Sequence, residues 1–228
     1  MAIFKDKGEY KKWILSDDWY QTIILPSGLR TPGKVQTQLR EPLFDAIDFK
    51  GKSFIDIGCN SGQYCFMAKE RGADKVVGVD INTKRIAQAR TLAENERYDI
   101  TFEEKSIFEI STSEKFDILF CIATVTEIQD FFGAIEHLKK LIGKYALIEL
   151  DLARPIVYAS YSRFWLRGYP KLSRRTAIAE IRQIKTGNMW VVRPSFDVLK
   201  AVFGDEFKLT KKDGGVRYDL VEVVRIAG

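Results

Sequence analysis

Apolar residues follow two alternating patterns from residue 53 onward. Short continuous apolar runs alternate with longer segments in which apolar residues recur every three or four positions. Runs of the first kind predict strands, and segments of the second kind predict helices. The predicted strands are 53–57, 75–79, 99–104, 116–121 and 144–150, and the predicted helices are 62–71, 83–95 and 129–142. This alternation predicts a mostly parallel sheet covered by helices on both faces.

The residues before this region have a different pattern. Apolar residues at helical spacing predict an amphipathic helix at 6–16, and the aromatic segment that follows ends in two turn signals, Pro-Ser-Gly and Pro-Gly. A second short helix is predicted from about Lys34, and it is expected to end near Pro42 because proline disrupts a helix interior. We interpret residues 1–50 as an N-terminal helical arm or lid.

The last third of the chain departs from the alternation. Residues 173–184 are predicted to form a helix capped by the serine at its first position, and Ser195 is expected to cap a second amphipathic helix. Two strand-like runs, 206–211 and 216–225, flank a hairpin signal of the Asp-Gly-Gly type. We interpret residues 153–193 as a cap inserted between the fifth strand and the last helix.

The composition is that of one soluble globular domain. The chain has 228 residues, of which 46% are hydrophobic and 29% are charged, and this length suffices for one large core with an appended segment. No apolar stretch approaches the roughly 18–20 residues of a membrane helix, and the first residues lack the apolar core of a signal peptide. We therefore expect a cytoplasmic protein that makes no membrane contact.

The net charge of +5 is unevenly distributed along the chain. Residues 153–193 contain nine lysine or arginine residues and one acidic residue, so this segment is strongly positive. Such a field attracts an anionic partner, for example RNA, a phosphorylated sugar or a nucleotide-linked metabolite.

The cysteines and the histidine do not form a recognisable metal or nucleophile motif. The three cysteines lack CxxC spacing, so we expect free thiols that pack in the core. The single histidine, His137, lies on a predicted helix and is interpreted as a surface or packing residue. We expect no metal site, no histidine base and no Ser-His-Asp triad.

The turn after the first predicted strand suits a ligand that approaches the backbone closely. Gly58 and Gly62 allow a sharp turn into a helix whose N-terminal amides can receive an anion. Asn60 stands between them, so the pattern is neither the G-x-G-x-x-G of dinucleotide enzymes nor the P-loop pattern. Hydride transfer and P-loop hydrolysis are therefore disfavoured.

Two carboxylates flank this turn at the carboxyl ends of neighbouring predicted strands. Asp56 can hold an ammonium group directly or through water. Asp80 is placed to accept hydrogen bonds from two ribose hydroxyls, with Ile81 beside it as an apolar platform for adenine.

Taken together, these features resemble the class I S-adenosylmethionine-dependent methyltransferases. The resemblance covers roughly residues 51–226 and includes the motif Asp56-x-Gly58-x-x-x-Gly62, the acidic strand end Asp80, the fourth strand and the final hairpin. It implies a methyltransferase domain at 51–228 with an α/β, Rossmann-like, seven-stranded sheet whose last hairpin strand is antiparallel.

The resemblance also implies S-adenosylmethionine as the cofactor and a layout for it. The methionine end lies over the glycine turn, the ribose on Asp80, and the adenine between Ile81 and the loop after the third strand. Many family members carry an acid where Ser106 stands, so its hydroxyl or the backbone is expected to receive the adenine amino group. The implied cofactor-binding residues are Asp56, Gly58, Cys59, Asn60, Gly62, Asp80, Ile81, Ser106, Ile107 and Ile122.

A narrower resemblance is to the enzymes that complete oxyacetyl or methoxy modification of the tRNA wobble uridine. Residues 19–33, 56–62 and 188–195 carry it. Gln38 falls where carboxymethylating members carry a lysine, so ordinary S-adenosylmethionine is the expected donor. After the fourth strand, Val-Thr-Glu at 125–127 replaces the Leu-Tyr-His of many relatives, so the acceptor stays open.

Two acids are candidates for the general base that a hydroxyl acceptor requires. Glu127 follows the fourth predicted strand and Asp151 follows the fifth, where the carboxyl ends of a parallel sheet form the ligand crevice. Each has the alternative role of a cap or salt-bridge partner, and Glu149 is interpreted as structural.

The inserted cap is the candidate acceptor-binding region. It mixes aromatic rings with guanidinium groups, as expected for stacking on bases or sugar faces while pairing with phosphates. The alternative is an oligomer interface or a packed helical cap. The predicted substrate-binding residues are Thr124, Tyr158, Arg163, Arg167, Trp190 and Arg193.

The sequence therefore predicts methyl transfer from S-adenosylmethionine to oxygen on a small or sugar-like, anionic acceptor. A first alternative is a tRNA wobble-uridine methyltransferase, so tRNA is a possible partner. A second is a regulatory protein that binds S-adenosylmethionine without catalysis. The sequence carries no prediction of oligomeric state.

Overall fold

The computed structural model describes residues 4–35, 40, 42, 44–152, 179–183, 190–212 and 219–226. The helices are α1 (Lys7–Ser16), α2 (Gln63–Glu70), α3 (Thr83–Glu96), α4 (Phe131–Leu141) and α5 (Phe196–Phe203). The strands are β1 (Ser53–Ile57), β2 (Lys75–Asp80), β3 (Thr101–Glu104), β4 (Phe116–Cys121), β5 (Ile142–Leu150), β6 (Ala179–Gln183), β7 (Trp190–Pro194), β8 (Phe207–Lys212) and β9 (Asp219–Arg225).

Seven of these strands form one sheet in the order β3-β2-β1-β4-β5-β9-β8. Strand β1 lies parallel to β2 and β4, and β2 lies parallel to β3. Strands β8 and β9 form an antiparallel pair, and β6 and β7 form a separate two-stranded antiparallel sheet. The predicted Rossmann-like sheet with an antiparallel last hairpin is confirmed.

The chain divides into two compact units, residues 1–121 with 140–146 and residues 122–139 with 147–228. An aromatic cluster around Phe120 of β4 fills the core of the first unit. The Phe120 ring centroid lies 5.0 Å from that of Phe54, 5.0 Å from that of Phe44 and 5.9 Å from that of Tyr64. Because Phe54 belongs to β1 and Tyr64 to α2, the cluster holds the two elements that flank the glycine turn.

The arm after α1 folds back on itself through backbone bridges. The Thr22 N–H donates to the Val35 carbonyl at 2.8 Å, and the Val35 N–H donates to the Tyr20 carbonyl at 3.0 Å. The predicted helix from Lys34 is therefore wrong at residues 34 and 35, since Val35 bonds to Tyr20 and Thr22 and not within a helix. Residues 36–39 lie outside the described part of the chain.

A second helix prediction is also wrong, because residues 179–183 form β6. The strand pairs with β7, whose Trp-Val-Val run has high strand propensity, and this long-range pairing overrides the helical spacing of isoleucines. The first part of the predicted helix, 173–178, lies outside the described residues, as does the predicted turn at 213–215. The α5 helix is confirmed, since the Ser195 hydroxyl caps it by accepting from the Val198 N–H at 3.2 Å.

Candidate functional site

The turn after β1 is fastened to the end of β2 by backbone hydrogen bonds. The N–H groups of Gly58 and Cys59 both donate to the Val79 carbonyl, at 2.8 and 3.0 Å. Gly58 and Gly62 have φ values of 77° and 93°, in the left-handed region that favours glycine. The two glycines therefore allow the chain to reverse within a few residues and enter α2.

Close packing beneath the turn excludes a side chain at Gly62. A Cβ atom there would lie 2.7 Å from the Phe102 ring. Gly78 of β2 is restricted in the same way, because its Cβ would lie 2.6 Å from Phe102 and 2.9 Å from the Cys59 sulfur. The aromatic ring of Phe102 thus supports the loop from below.

Asp80 lies at the end of β2, and its two carboxylate oxygens bond to the turn and to the start of α3. Its Oδ2 accepts from the Asn60 N–H at 2.8 Å, and its Oδ1 accepts from the Asn82 N–H at 2.8 Å. Asn60 has a φ of 52°, which is uncommon outside glycine, so the carboxylate holds a strained residue in place. Each oxygen retains a lone pair for a further donor such as a hydroxyl.

Ile81, the neighbour of Asp80, is 75% exposed and is the most exposed large apolar side chain among the described residues. An exposed branched side chain beside a half-buried carboxylate suits a flat apolar ring joined to a polyhydroxyl group. This juxtaposition was expected from the sequence.

Asp56 is buried in β1 and differs chemically from Asp80. It is 2% exposed, and within the described chain its Oδ2 has no hydrogen-bond partner. Burial, together with the nearby charge of Asp80, raises the pKa of Asp56 well above its ordinary value. A buried carboxyl group without a partner is costly, so this site suits a ligand that brings its own cation.

The thiols near this carboxyl group are inert. Cys59, Cys65 and Cys121 are buried and form no disulfide among the described residues, which confirms the expectation of packed thiols. Burial raises the pKa of Cys59 and of Cys65, so both remain protonated near neutral pH.

The loop after β3 contains a short 3₁₀ helix, Ile107–Glu109, capped by Ser106. The Ser106 hydroxyl accepts from the Phe108 N–H, and the Ser106 N–H donates to Glu109 Oε2 at 2.7 Å. Ile107 is buried, whereas Phe108 is 45% exposed. Phe108, which the sequence analysis did not select, is therefore the accessible apolar group of this loop.

The second unit brings together several residues predicted for acceptor binding or catalysis. The Arg193 guanidinium donates to Asp151 Oδ1 at 2.8 Å and to the Leu152 carbonyl at 3.3 Å. Arg193 is buried, and the Asp151 side chain is 28% exposed. The two predictions, a base at 151 and an anion-binding arginine at 193, thus meet in one ion pair.

Glu127 has a different environment. It ends the 3₁₀ helix Val125–Glu127, which packs against β7, and its side chain is exposed. Among described residues it makes no side-chain hydrogen bond or ion pair. Thr124 precedes this helix and donates its hydroxyl to the Ile122 carbonyl at 3.1 Å. Glu127 is therefore an exposed acid without a side-chain partner among the described residues.

Of the remaining predicted site residues, the structure describes some and leaves others outside its described ranges. Ile122 is buried in the second unit, and Trp190 is described only as a backbone position in β7. Tyr158, Arg163 and Arg167 lie outside the described residues. Within the described ranges, no group of acidic, histidine and cysteine side chains could hold a metal ion. None of the helices described there has the length and apolar character that crossing a membrane requires.

A comparison with protein families matches residues 48–164 to a family described as a methyltransferase domain. A tRNA U34 carboxymethyltransferase from Campylobacter hominis is 27% identical over 171 residues, which are 73% of this chain and 59% of that protein. A ubiquinone biosynthesis O-methyltransferase from Bradyrhizobium sp. is 30% identical over 180 residues, which are 75% of this chain and 70% of that protein.

Solved structures share the fold. The magnesium protoporphyrin IX methyltransferase from Synechocystis PCC 6803 with bound S-adenosylmethionine has a TM-score of 0.57 and 17% identity, covering 83% of this chain and 77% of that one. A magnesium protoporphyrin IX methyltransferase structure with bound S-adenosylhomocysteine has a TM-score of 0.58 and 16% identity, covering 83% and 81%.

Proposed function

Because this chain belongs to the class I S-adenosylmethionine-dependent methyltransferase family, we propose that it methylates an oxygen atom on a small or sugar-like, anionic acceptor. S-adenosylmethionine is the cofactor of this family and supplies a methyl group carried on a sulfonium. The chain's own residues have to hold that donor, align the acceptor and accept one proton.

The observation that carries the donor assignment is the buried carboxyl group of Asp56 beside the glycine turn, whose Oδ2 has no hydrogen-bond partner among the described residues. We assign it to the donor ammonium, because a bound cation compensates the buried charge. Asp80 has free lone pairs for the ribose hydroxyls, and Ile81 and Phe108 offer exposed apolar surface for adenine. Cys59, Asn60, Ser106 and Ile107 stay proposed contacts of the same site.

We assign proton removal to Glu127. Its carboxylate is exposed and unpaired among described residues, so it can reach an acceptor hydroxyl. Asp151 Oδ1 already accepts a hydrogen bond from the Arg193 guanidinium, so this carboxylate is engaged within the protein. We therefore assign Asp151 and Arg193 to shaping the acceptor site rather than to the proton transfer itself.

Turnover assays of Glu127→Gln test this assignment. We expect the S-adenosylhomocysteine formation rate with a hydroxyl acceptor to fall about 100-fold, the lower range of general-base contributions, with the donor affinity unchanged. Glu136→Gln is the matched control, since Glu136 is an exposed acid of the same unit paired with Lys139. An unchanged rate in Glu127→Gln would remove the base assignment, and no product with any acceptor would favour a non-catalytic binding protein.

The acceptor class is supported by charge and by one relative. The segment 153–193 is strongly basic, and the Bradyrhizobium relative is named as an O-methyltransferase. A panel of small hydroxyl compounds, each with and without a carboxylate or phosphate group, tests the class. We expect turnover with the anionic members and a kcat/KM at least tenfold lower with their neutral analogues.

The second candidate is methylation of the tRNA wobble uridine, which the Campylobacter relative favours by its name. This chain spans 59% of that relative's length, so its tRNA activity is carried over only as a candidate. A tRNA enzyme should bind tRNA with a log-log salt slope of roughly one per phosphate contacted. Salt-independent turnover of a small acceptor, with no methylated nucleoside in digested tRNA, would exclude this candidate.

A further inference from the structure

A polar side chain of α3 connects the donor turn to the N-terminal segment. Gln88 is 3% exposed, and its amide group lies between Ser61 of the turn and the end of α1. Its Oε1 accepts from the Ser61 hydroxyl at 2.9 Å, and its Nε2 donates to Asp17 Oδ2 at 2.8 Å. One amide thus bridges two segments that are far apart in sequence.

The hydrogen-bonding capacity of Gln88 is fully used. Besides Ser61, Oε1 accepts from Arg85 Nη1 at 3.1 Å, and besides Asp17, Nε2 donates to the Asp18 carbonyl at 2.9 Å. Reversing the amide would set its oxygen against a carboxylate and its NH₂ against a guanidinium. Its orientation is therefore determined by its neighbours.

From Gln88 the chain of contacts continues to the predicted ribose-binding acid. The Ser61 N–H donates to Asn60 Oδ1 at 2.9 Å, and the Asn60 N–H donates to Asp80 Oδ2 at 2.8 Å. Ser61 is fully buried, and Asn60 has the left-handed backbone noted above. The contacts restrain the one non-glycine residue of the turn that has a positive φ.

At the other end of this series of hydrogen bonds, Asp17 and Asp18 pair with charged side chains of α3. Burial alone would raise the pKa of Asp17, but hydrogen bonds from Gln88 and Lys84 keep that pKa below its ordinary value. Lys84 Nζ lies 3.2 Å from Asp17 Oδ1, and Arg85 pairs with Asp18 at 3.3 Å. The end of α1 is therefore anchored to the first turns of α3.

We propose that Gln88 is a positioning residue for the donor site, and that the relay from Asp17 through Gln88 and Ser61 to Asn60 couples order in the N-terminal segment to donor affinity. A donor that binds Asp80 and the turn favours the ordered relay, and an anchored α1 favours the donor-competent turn. The inference rests on the placement of the donor at this turn, which is part of the proposed function.

Three variants separate the relay from general packing. Gln88→Met breaks both ends of the relay, and Ser61→Ala breaks only the end at the turn. Glu96→Ala is the matched control, because Glu96 of α3 also tethers the N-terminal segment, through the Ser27 and Tyr10 hydroxyls at 2.7 and 3.1 Å, but does not touch the turn.

Calorimetry with S-adenosylhomocysteine measures the effect on the site. We expect the donor-site Kd to rise about tenfold in Gln88→Met and in Ser61→Ala, as for loss of one buried hydrogen bond, and less than twofold in Glu96→Ala. Amide hydrogen exchange tests the coupling itself, because a purely structural role of Gln88 would not make exchange at α1 depend on the ligand. In the wild type and in Glu96→Ala, the ligand should slow exchange at residues 13–17, and in Gln88→Met and Ser61→Ala it should not.

The contrary outcomes are distinct. A Kd within twofold of wild type in both relay variants, with ligand still slowing exchange at residues 13–17, would overturn the relay. Glu96→Ala weakening binding as much as Gln88→Met would overturn it too, because any loosening of the segment would then suffice. If Asp80→Ala leaves the affinity for S-adenosylhomocysteine unchanged, the placement of the donor is wrong. If Asp80→Ala loses much affinity while Gln88→Met and Ser61→Ala lose none, only the relay is rejected.

Discussion

Asp56 lies in β1 and Asp151 directly follows β5, yet the surroundings of the two acids are opposite. Asp56 is buried with another carboxylate and two thiols as its titratable neighbours and no cation among the described residues. Asp151 accepts from the buried guanidinium of Arg193. An acid that the protein itself pairs with a cation is part of the scaffold, whereas a buried acid left without a cation is the position that we propose for a cationic ligand.

The largest expected effect is on stability at the paired acid. Asp151→Asn removes the carboxylate that pairs with the buried Arg193 guanidinium, so we expect the free energy of unfolding to fall by about 2–3 kcal/mol, below the range for fully buried pairs since Asp151 keeps 28% exposure. Urea denaturation measures it. Adding Arg193→Met should restore part of the loss, because the buried cation is then absent. A change under about 0.5 kcal/mol would show that the pair is not structural.

The next effect is on donor affinity at the unpaired acid. Asp56→Asn removes the negative charge that we assign to the donor ammonium, so the Kd for S-adenosylmethionine should rise about 30-fold, equivalent to about 2 kcal/mol. Asp151→Asn serves as the comparison and should change this Kd little. Equal effects of the two changes on donor affinity would erase the distinction between the acids.

The same Asp56→Asn change should stabilise the ligand-free protein by about 1–2 kcal/mol at neutral pH, the opposite sign to Asp151→Asn. The unfolded carboxyl group ionises near its ordinary pKa of 3.8, while the native one keeps its proton to higher pH. Across that interval the native state binds more protons, so wild-type stability falls as pH rises. Thermal unfolding from pH 4 upward should show that the stability of Asp56→Asn relative to wild type increases with pH. A stability difference that does not change with pH would contradict this prediction.

The smallest effect concerns a third acid that is paired near the surface. Lys144, at 2.7 Å, and Ser53 lower the pKa of Asp117 to about 2. The pH dependence is the reverse of that for Asp56. The ionised, paired Asp117 stabilises the folded state above pH 3.8, and this stabilisation is lost as pH falls toward 2. Asp117→Asn should therefore lose less stability than wild type over this interval. Acid titration of the unfolding midpoint measures it, and identical acid curves would count against the pairing.

The strands of the sheet could be predicted because their apolar runs are continuous and bounded by turns. Strands 53–57 and 116–121 have the predicted bounds. For the other strands of the alternating region, each end lies within two residues of its predicted position. The structure at Val35 and at residues 179–183 could not be predicted, because hydrogen bonds to segments distant in sequence decide it. Local periodicity contains no information about those partners.

The same reasoning explains what was missed in the site. Asp56, Asp80 and Ile81 follow from strand ends, which local sequence reveals. Gln88 lies on α3 beside the apolar positions that form its buried face, and nothing in the local sequence distinguishes it from an exposed glutamine. The Asp151–Arg193 pair joins residues separated by 42 positions, so a predicted base and a predicted anion site turned out to be partners.

The attachment of α1 to α3 has a consequence for the order of events during synthesis. The contacts of Asp17 and Ser27 with Gln88 and Glu96 span 71 and 69 residues of sequence. Loop closure over such distances follows local structure formation, so the segment that contains α1, although made before α3, is among the last of its unit to dock. Until α3 has been made, the indole of Trp19, buried in the finished protein, has no completed unit to pack in.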